Sequence, residues 1–531
     1  MKKAYLLILV IITSLQLQNA YSREYNILDF GAVADTGKLS TIAIQKAIDA
    51  CSSNGGGQVT IPAGSFKTGS IFFKSNVSLF LEAGAVLYGS KKIKDYKVVK
   101  TSFISLRTQD SIVQLILGDN CSNVSICGYG EINGQGKDFP YHPDDEGITR
   151  PHLIRFINCR DVSVENISLK NSGCWMQHYL ACERVKIHGL RIFNRIKENN
   201  DMLDIDGCKD VTISDCISDT EDDGITLKST SDRICENVAI TNCVVKSRWQ
   251  AIKLGTESSG GFKNITITNC VVVCTSVYPW NDGTISDPLG AICLIITDGG
   301  IMQNILISNI SIDNSEAPIY IRLANRARSF DRRIPVTNVG IVKDITISNI
   351  RVTNGGRRGC SITGQPGYPV ENIRLSNIVI ESKGEGTKED FLRPVPEDPK
   401  AYPAPVKWGQ LPAYGFFIRH AKNVTFDGIE LRTQKDDYRP AFYMEDVIGA
   451  KLMNMQLQSS DKAESNIFIK QSQDVIIEGN SVKGKSNCFV RAEGNKTSGI
   501  TLVSNILGNS KVMFSEGKEC KGMVKEYYNL K

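Results

Sequence analysis

Two acidic clusters carry the residues of this chain whose types and spacing could do chemistry. The first cluster is Asn199, Asn200 and Asp201, and the second is the pair Asp222 and Asp223. If the two segments are successive coils of a parallel β-solenoid, the clusters stack about 4.8 Å apart. With a lateral offset, such carboxylates reach the separation of about 6.5–9.5 Å at which one is a general acid and another activates a water molecule to cleave a glycosidic bond with inversion. This interpretation requires that the chain be a β-helix.

A repeated strand pattern predicts that fold. Segments of one template alternate apolar and polar residues, which is typical of a strand with one buried face. They recur about every 24–30 residues, or at longer intervals where a loop is inserted, as in a solenoid. Copies of the template begin at Val211, Val238, Ile265, Ile305, Ile345 and Ile373. A second family of strands lies between them and begins at Gly224, Ala251, Ala291, Pro318, Gly415 and Ala441. We therefore predict an all-β right-handed parallel β-helix, a solenoid that forms one domain over residues 23–531.

The template also places asparagine at one recurring corner. Asparagine tolerates the left-handed backbone of such a turn, and stacked side-chain amides can bond from one coil to the next. The equivalent positions are Asn242, Asn269, Asn309, Asn349 and Asn377. We expect these side chains to form a ladder along the solenoid.

The ends of the chain differ from the repeats. Lys2 and Lys3 precede an apolar run over residues 4–12, and small residues at 20–22 offer a cleavage site, which predicts a signal peptide over residues 1–22. The alternative is a buried N-terminal strand. The apolar run is too short to span a bilayer, so we expect an exported protein, periplasmic or extracellular, without a membrane span. An amphipathic segment at 41–51 is expected to cap the open end of the solenoid.

Charge and cysteine content exclude several classes of function. The formal net charge is +5 and falls to +3 without Lys2 and Lys3, which is too weak for nucleic-acid binding but compatible with a locally basic cleft for an acidic polymer. Cys216, Cys243 and Cys270 occupy inward template positions, where cysteine acts as a small hydrophobe. We expect most of the sixteen cysteines to be reduced and buried, with a few bridges. Cysteine and histidine spacings indicate no metal site, and we expect no cofactor.

Together these motifs resemble glycoside hydrolase family 28, the polygalacturonase and rhamnogalacturonase family of pectin-degrading β-helix enzymes. Residues 29–31, the glycine-rich turn at 55–64 and the segment 81–87 are similar to the family's N-terminal part, and the segments 150–156 and 175–178 are similar to its approach to the active site. The first acidic cluster is similar to its Asn-Thr-Asp motif and the second to its Asp-Asp-Cys motif. The resemblance implies that Asp222 protonates the leaving oxygen and that Asp201 and Asp223 activate water. We expect Asp204 and Asp206 to be turn-forming or coil-edge charges.

Departures from the family motifs concern substrate recognition. The family's Gly-His-Gly aligns with Trp249-Gln250-Ala251, and its Arg-Ile-Lys, which holds a galacturonate carboxylate, aligns with Tyr320-Ile321-Arg322. Only Arg322 remains as a cation there, which favours rhamnogalacturonan over plain homogalacturonan. Further candidates for substrate binding are Asn199, Gln250, Lys228, Lys253, Trp175 and His178. For Lys228 and Lys253 a surface salt bridge is an equal alternative, and for Arg322 the alternative is a solvated cation at a strand end.

The resemblance implies a monomeric inverting hydrolase of α-galacturonosidic bonds whose partner is a pectic polysaccharide. Insertions at 275–288 and 382–411 would stand over a groove, and closure of one end would favour cleavage from chain ends. Two alternatives remain open at this point. One is a pectate-lyase-like enzyme, which would release unsaturated products, and the other is a non-catalytic polysaccharide-binding β-helix.

Overall fold

A computed structural model of the protein describes residues 24–140, 149–276, 289–520 and 524–530. Within these ranges the strands stack coil upon coil, almost all of them in parallel, around one apolar interior. The architecture is the predicted right-handed parallel β-helix. The predicted signal peptide and most of the insertion at 275–288 lie outside the described residues.

Sheet 2, as we number the three sides of the helix, is built from the repeated template. Inward residues such as Val211 and Ile213 are buried, whereas the alternating outward residues are exposed or half-buried. Its strands are Glu24–Asn26, Gly57–Ile61, Val77–Leu81, Ser122–Gly128, Arg160–Glu165, Glu183–His188, Lys209–Ser214, Cys235–Thr241, Gln473–Glu478, Ser498–Val503 and Val524–Tyr527. Strands that continue from sheet 2 into sheet 3 are Gly261–Cys274, Ile301–Asp313, Ile341–Gly355 and Val370–Ser382.

Sheet 3 consists of short strands whose ends lead into the loops that carry the acidic clusters. Its separate strands are Gly64–Thr68, Ala85–Gly89, Glu131–Asn133, Ser168–Lys170, Arg191–Asn194, Ile217–Thr220, Val244–Ser247, Gln456–Gln458 and Ser481–Lys483. The strand Phe416–Thr433 passes through all three sheets, and Phe442–Met453 passes through sheets 1 and 2.

Sheet 1 contains the second strand family of the sequence and is buried on both faces over most of its length. In Leu203–Asp206 and Gln250–Ser258, for example, every residue is buried. The separate strands of sheet 1 are Ile71–Phe72, Ile112–Asp119, His152–Ile157, Gln177–Leu180, Leu203–Asp206, Ile225–Ser229, Gln250–Ser258, Gly290–Ile296, Ala317–Leu323, Cys360–Thr363, Ser465–Lys470, Cys488–Glu493 and Val512–Glu516. The short strand Val98–Val99 pairs antiparallel with Ile112–Asp119.

Helices contribute little to the fold beyond one end. The helix Thr41–Ser53 buries one face, including the predicted Ile44, Ala47, Ile48 and Cys51, and it packs against the first strands of sheet 2. The capping helix is therefore confirmed. The other helical segments are the α-helix Lys388–Leu392 and the 3-10 turns Ile27–Phe30, Ile93–Asp95, Gly136–Asp138, Pro405–Trp408 and Lys518–Cys520.

The predicted asparagine corner is also confirmed. All five predicted residues have φ between 52° and 57°. The side-chain amide of Asn309 donates to Asn269 at 3.1 Å, that of Asn349 to Asn309 at 2.9 Å, and that of Asn377 to Asn349 at 2.7 Å. Asn309 and Asn349 thus each donate to the preceding coil and accept from the next, whereas Asn242 donates to Asp215.

The cysteines follow the sequence expectation except for the bridges. All sixteen fall within the described residues, all are free thiols, and all but Cys127 are buried. Cys216, Cys243 and Cys270 belong to the apolar interior. The prediction of a few disulfide bridges was wrong. Thiols at inward positions instead take the place of small apolar side chains.

Candidate active site

The two acidic clusters lie on neighbouring coils. Asn194 in sheet 3 pairs with Thr220, so the loops that follow these residues leave the sheet one above the other. Both loops then enter sheet 1, and the N–H of Met202 donates to the carbonyl of Asp223 at 2.9 Å. As a result Asp201, Asp222 and Asp223 line one cleft, as the spacing predicted.

The loop that carries Asp201 is held in place by side chains from the preceding coils. The Arg150 guanidinium donates to the carbonyl of Glu198 at 2.6 Å and to Asn199 Oδ1 at 2.9 Å. Asn200 Nδ2 donates to the carbonyls of Ser172 and Cys174, each at 3.0 Å. Asn199 has φ of 57° and its Nδ2 is 3.4 Å from Asp222 Oδ2. The first cluster therefore positions its own aspartate and also contacts the second.

Burial and mutual repulsion raise the proton affinity of the clustered carboxyl groups. Burial raises the pKa of Asp222 to about 6, the charge of Asp223 adds to the rise, and Lys253 opposes it. Burial likewise raises the pKa of Asp201 well above its usual range, with further contributions from its acidic neighbours. The cleft thus retains a proton at a pH where an isolated aspartate has lost it.

Two lysines lie against the acidic side chains of the cleft. Lys253 Nζ lies 2.7 Å from Asp223 Oδ2, and Lys228 Nζ lies 3.1 Å from Glu257 Oε2 and 3.6 Å from Asp204 Oδ1. Both lysines line the cleft, but both are buried ion-pair partners, so the alternative of a surface salt bridge does not apply. The second oxygens of Asp201 and Asp223, Oδ1 in each case, are buried and accept no hydrogen bond from the described residues.

Asp204 and Asp206 are not the turn-forming charges that we expected. Both lie in the strand Leu203–Asp206 and are fully buried. Burial raises the pKa of Asp204 to about 8 despite the opposing charge of Lys228. Asp206 accepts hydrogen bonds from the Thr230 N–H at 2.7 Å and the Thr230 hydroxyl at 2.6 Å, and lies 2.9 Å from His178 Nε2. The expectation was wrong because these side chains are supported from the next coil, which sequence alone does not reveal.

Sequence analysis did not identify Arg107, Glu257 and Tyr402, which line the cleft. Arg107 reaches Glu257 with a distance of 2.6 Å between Nη2 and Oε1, and Arg328 reaches it at 3.3 Å. Burial opposes the charge of Glu257, but Lys228, Arg107 and Arg328 outweigh it and hold the pKa well below its usual range. Tyr402 comes from the insertion, and its hydroxyl lies 3.3 Å from Lys253 Nζ. Arg107 and Tyr402 stand on loops far away in sequence and carry no motif that could have identified them.

Trp175 and His178 have different positions. Trp175 lines the cleft, but its ring lies between two cations, 4.9 Å from the Arg107 guanidinium and 4.7 Å from Lys228 Nζ. Only 3% of Trp175 is exposed, so little of its face is available to a sugar. His178 is fully buried behind that ring at 5.2 Å, and burial lowers its pKa to about 4.

Gln250 and Arg322 lie outside the lining of the cleft. Gln250 is fully buried in sheet 1, and neither polar atom of its side chain has a partner among the described residues. Arg322 is only 1% exposed. Its guanidinium lies 4.5 Å from the centre of the Trp408 ring and donates to the carbonyl of Glu397 and to Thr363 Oγ1. Arg322 is therefore neither a solvated cation nor, in this structure, a group that faces the cleft.

The insertion at 382–411, which covers Arg322, packs against sheet 1. Trp408 and Leu411 join an apolar cluster on the outer side of sheet 1, with Cys293, Ile295, Tyr320 and Phe417. Arg419 Nη1 donates to the carbonyl of Val395 at 2.7 Å, and the Asn325 N–H donates to the carbonyl of Pro399 at 2.8 Å. Coils stack without interruption across it, since Cys360 pairs with Phe416 and Glu371 with Lys422. The insertion thus stands over the groove, as expected.

Metal sites and membrane spans were searched among the described residues. There, no group of three or more histidine, cysteine or acidic residues could hold a metal ion. In the same part of the chain, no helix is both long and apolar enough to cross a membrane.

Comparisons with known proteins agree with this arrangement. A probable polygalacturonase of Vitis vinifera is 34% identical over 215 residues, which cover 38% of this chain and 44% of the relative. An exo-poly-alpha-D-galacturonosidase of Dickeya chrysanthemi is 36% identical over 160 residues, 29% of this chain and 26% of that protein. The matches thus span less than half of these relatives.

A solved structure supports the fold. The exopolygalacturonase of Thermotoga maritima superposes with a TM-score of 0.57 at 24% identity, over 68% of this chain and 87% of that one. The sequence profile of glycosyl hydrolases family 28 matches residues 51–397, a stretch that contains all three clustered aspartates. The chain therefore belongs to glycosyl hydrolases family 28.

Proposed function

We propose that the protein is an inverting hydrolase of α-galacturonosidic bonds in pectic polysaccharide. The observation that carries this proposal is the set of Asp201, Asp222 and Asp223 on neighbouring coils in one cleft, within a chain of this family. The names of the grapevine and Dickeya relatives support galacturonate as the sugar. Neither the lyase nor the binding-module alternative is favoured by an observation on the cleft.

The geometry suggests a role for each carboxyl group. Asp222, with its pKa raised to about 6, donates its proton to the glycosidic oxygen as the bond to C1 breaks. A water molecule attacks C1 from the opposite face, and Asp201 or Asp223 takes the proton that it loses. The Oδ1 atoms of Asp201 and Asp223 have no hydrogen-bond partner among the described residues, so either carboxylate can accept that proton. Proton return to Asp222 completes the cycle.

The experiment is product analysis on homogalacturonan and rhamnogalacturonan with the purified protein. We expect new reducing ends without ultraviolet-absorbing unsaturated products, and proton NMR in the first minutes should show the inverted anomer. Unsaturated products would indicate a lyase, an initially retained anomer would contradict the water-activating roles, and absence of any reducing ends would indicate a binding module.

Substrate choice follows from positions 250 and 322, neither of which presents a positive charge to the cleft. Gln250 is neutral and buried, and the guanidinium of Arg322 is covered by Trp408. A charge-assisted hydrogen bond contributes about 1.5–3 kcal/mol, so its loss should lower kcat/KM on homogalacturonan about tenfold or more. We therefore propose a preference for galacturonate linked to a neutral sugar, with rhamnose the first candidate. If kcat/KM on defined galacturonate oligomers equalled or exceeded that on rhamnogalacturonan oligomers, the preference would be refuted and the hydrolase assignment would stand.

The insertion supports cleavage from chain ends. Tyr402 lines the cleft beside Lys253, and the residues behind it are packed on sheet 1, so a polymer cannot continue past that point along the face of the sheet. We propose that this wall receives a chain end. Export through the segment 1–22, one domain over 23–531 and a monomeric state belong to the same proposal, and N-terminal sequencing of the mature protein tests the first of them.

A further inference from the structure

A second cavity lies on the same edge of the solenoid as the cleft. It has a volume of about 580 Å³, compared with about 230 Å³ for the catalytic cleft. Its lining includes Lys67, Ser90, Lys91, Lys92, Lys94, Asp95 and Gln135. The question is what this cavity could bind.

Strand register locates the cavity relative to the aspartates. Lys67 pairs with Tyr88 in sheet 3, and the same column continues to Asp219. The loop after Tyr88 borders the cavity, and the loop after Asp219 carries Asp222 and Asp223. These two loops leave sheet 3 on one edge, separated by four coil steps, which corresponds to about 20 Å.

The lining of the cavity is strongly basic. It contains Lys67, Lys91, Lys92 and Lys94 but only one acidic residue, Asp95. Asp95 accepts a hydrogen bond from the Ser90 hydroxyl. Lys91, Lys92 and Lys94 are exposed, and within the described part of the chain none of the four lysines has an ion-pair partner. Four unpaired ammonium groups around one cavity favour a ligand that carries several negative charges.

Two further lysines connect the cavity with the cleft. Lys197 Nζ donates to the carbonyl of Lys137 at 3.2 Å. Lys137 lies two residues after Gln135, which borders the cavity, and Lys197 lies two residues before Asn199, which borders the cleft. The edge between the two sites therefore also presents cations.

We propose that this lysine cavity is an accessory binding site for the uronate polymer, which holds carboxylates of the chain remote from the scissile bond. The inference rests on the proposed function for the choice of polyanion. Exposed ion pairs are individually weak, so binding requires several of them at once and a long chain. Such binding is screened by salt.

The test uses the full chain with Lys91→Glu, Lys92→Glu and Lys94→Glu combined. We expect KM for polygalacturonate, or for the best pectic polymer, to rise about tenfold at low salt, while kcat and KM for a trisaccharide stay unchanged. The dependence of KM on salt should weaken in the same variant. The matched control reverses three exposed lysines on sheet 2, Lys422, Lys451 and Lys525, and should leave all values unchanged.

Direct binding separates this inference from the proposed function. Titration of polygalacturonate into the Asp222→Asn variant, with and without the three lysine changes, measures affinity without turnover. Loss of affinity on lysine reversal supports the site even if no pectin is hydrolysed. Unchanged polymer affinity and KM in a folded lysine variant would overturn it, whether or not that variant hydrolyses pectin.

Discussion

The outer face of sheet 1 changes character between Lys253 and Cys293, although the two residues are paired in an unbroken register. Before that point the outward column is charged or polar, with Arg155, His178, Asp204, Thr226 and Lys253. After it the column is mainly apolar, with Cys293, Tyr320, Ser361, Phe417 and Tyr443. One backbone arrangement thus supports two different surfaces.

The two stretches stay buried for different reasons. In the charged stretch, desolvation is offset by close pairs such as Lys253 with Asp223, and such pairs add little net stability. In the apolar stretch, contact with Trp408 and Leu411 removes hydrocarbon from water, which is favourable. We propose that the charged stretch serves chemistry, whereas the apolar stretch holds the insertion.

The largest expected effect tests whether the charged stretch is catalytic. Asp222→Asn cannot donate a proton, so kcat should fall about 10²–10⁴-fold with the fold intact by circular dichroism. Asp232→Asn, an exposed aspartate of the same coil, is the control and should keep full rate. More than a tenth of the original rate in Asp222→Asn would contradict the acid role.

A second substitution tests whether the apolar stretch closes the cleft. Trp408→Ala removes the ring that covers Arg322, at a cost of about 3–5 kcal/mol to packing, which should loosen the insertion. Products from pectic polymer should then shift from single terminal units to longer oligomers, measured by mass spectrometry over time. Tyr368→Ala, an exposed tyrosine, is the control. An unchanged product profile would mean that the insertion does not set the cleavage mode.

The pH profile tests the coupling of Lys253 to the acid. Because Asp222 must be protonated to act, kcat/KM should fall as pH rises through about 6. Lys253 lowers the pKa of Asp222, so Lys253→Met should move this limb to higher pH as well as lowering the rate. Lys246→Met, on an exposed lysine, should leave it in place. A limb that moves to lower pH would contradict the role of Lys253 in lowering the pKa of Asp222.

The smallest expected effect separates two buried acids of the charged stretch. Asp204 has a pKa raised to about 8, so it is largely protonated at neutral pH, and Asp204→Asn removes no charge there and should not lower the free energy of unfolding. The contribution of Asp204 is present below its unfolded pKa and lost as pH rises through about 8, so the variant should gain in Tm relative to the parent as pH increases.

Glu257→Gln is the matched comparison for Asp204→Asn. It removes the carboxylate shared by Arg107, Arg328 and the buried Lys228 and should cost about 3–5 kcal/mol. Thermal unfolding from pH 5 to 9 measures both variants. Equal losses of stability in the two variants would show that Asp204 is ionised.

Sequence reasoning succeeded where a repeat or a cluster carries the information. The template predicted sheet 2 and the Asn269 to Asn377 corner, and the two acidic motifs predicted that Asp201 and Asp223 share a cleft. Sequence reasoning failed where a contact joins segments that are far apart in the chain. Arg107 meets Glu257 across 150 residues, and Tyr402 meets Lys253 across 149. Alternation and spacing report on neighbours within a coil and carry no signal for such pairs.

The asparagine corner has a consequence for how this chain can diversify. Asn269 to Asn309 and Asn309 to Asn349 are each 40 residues apart, and Asn349 to Asn377 only 28, yet each pair is joined by one side-chain hydrogen bond of similar length. The axial rise is therefore independent of contour length. Segments outside the coils can be lengthened, shortened or exchanged without a change in scaffold geometry, so new specificities can arise by loop replacement while the carboxylates keep their mutual positions.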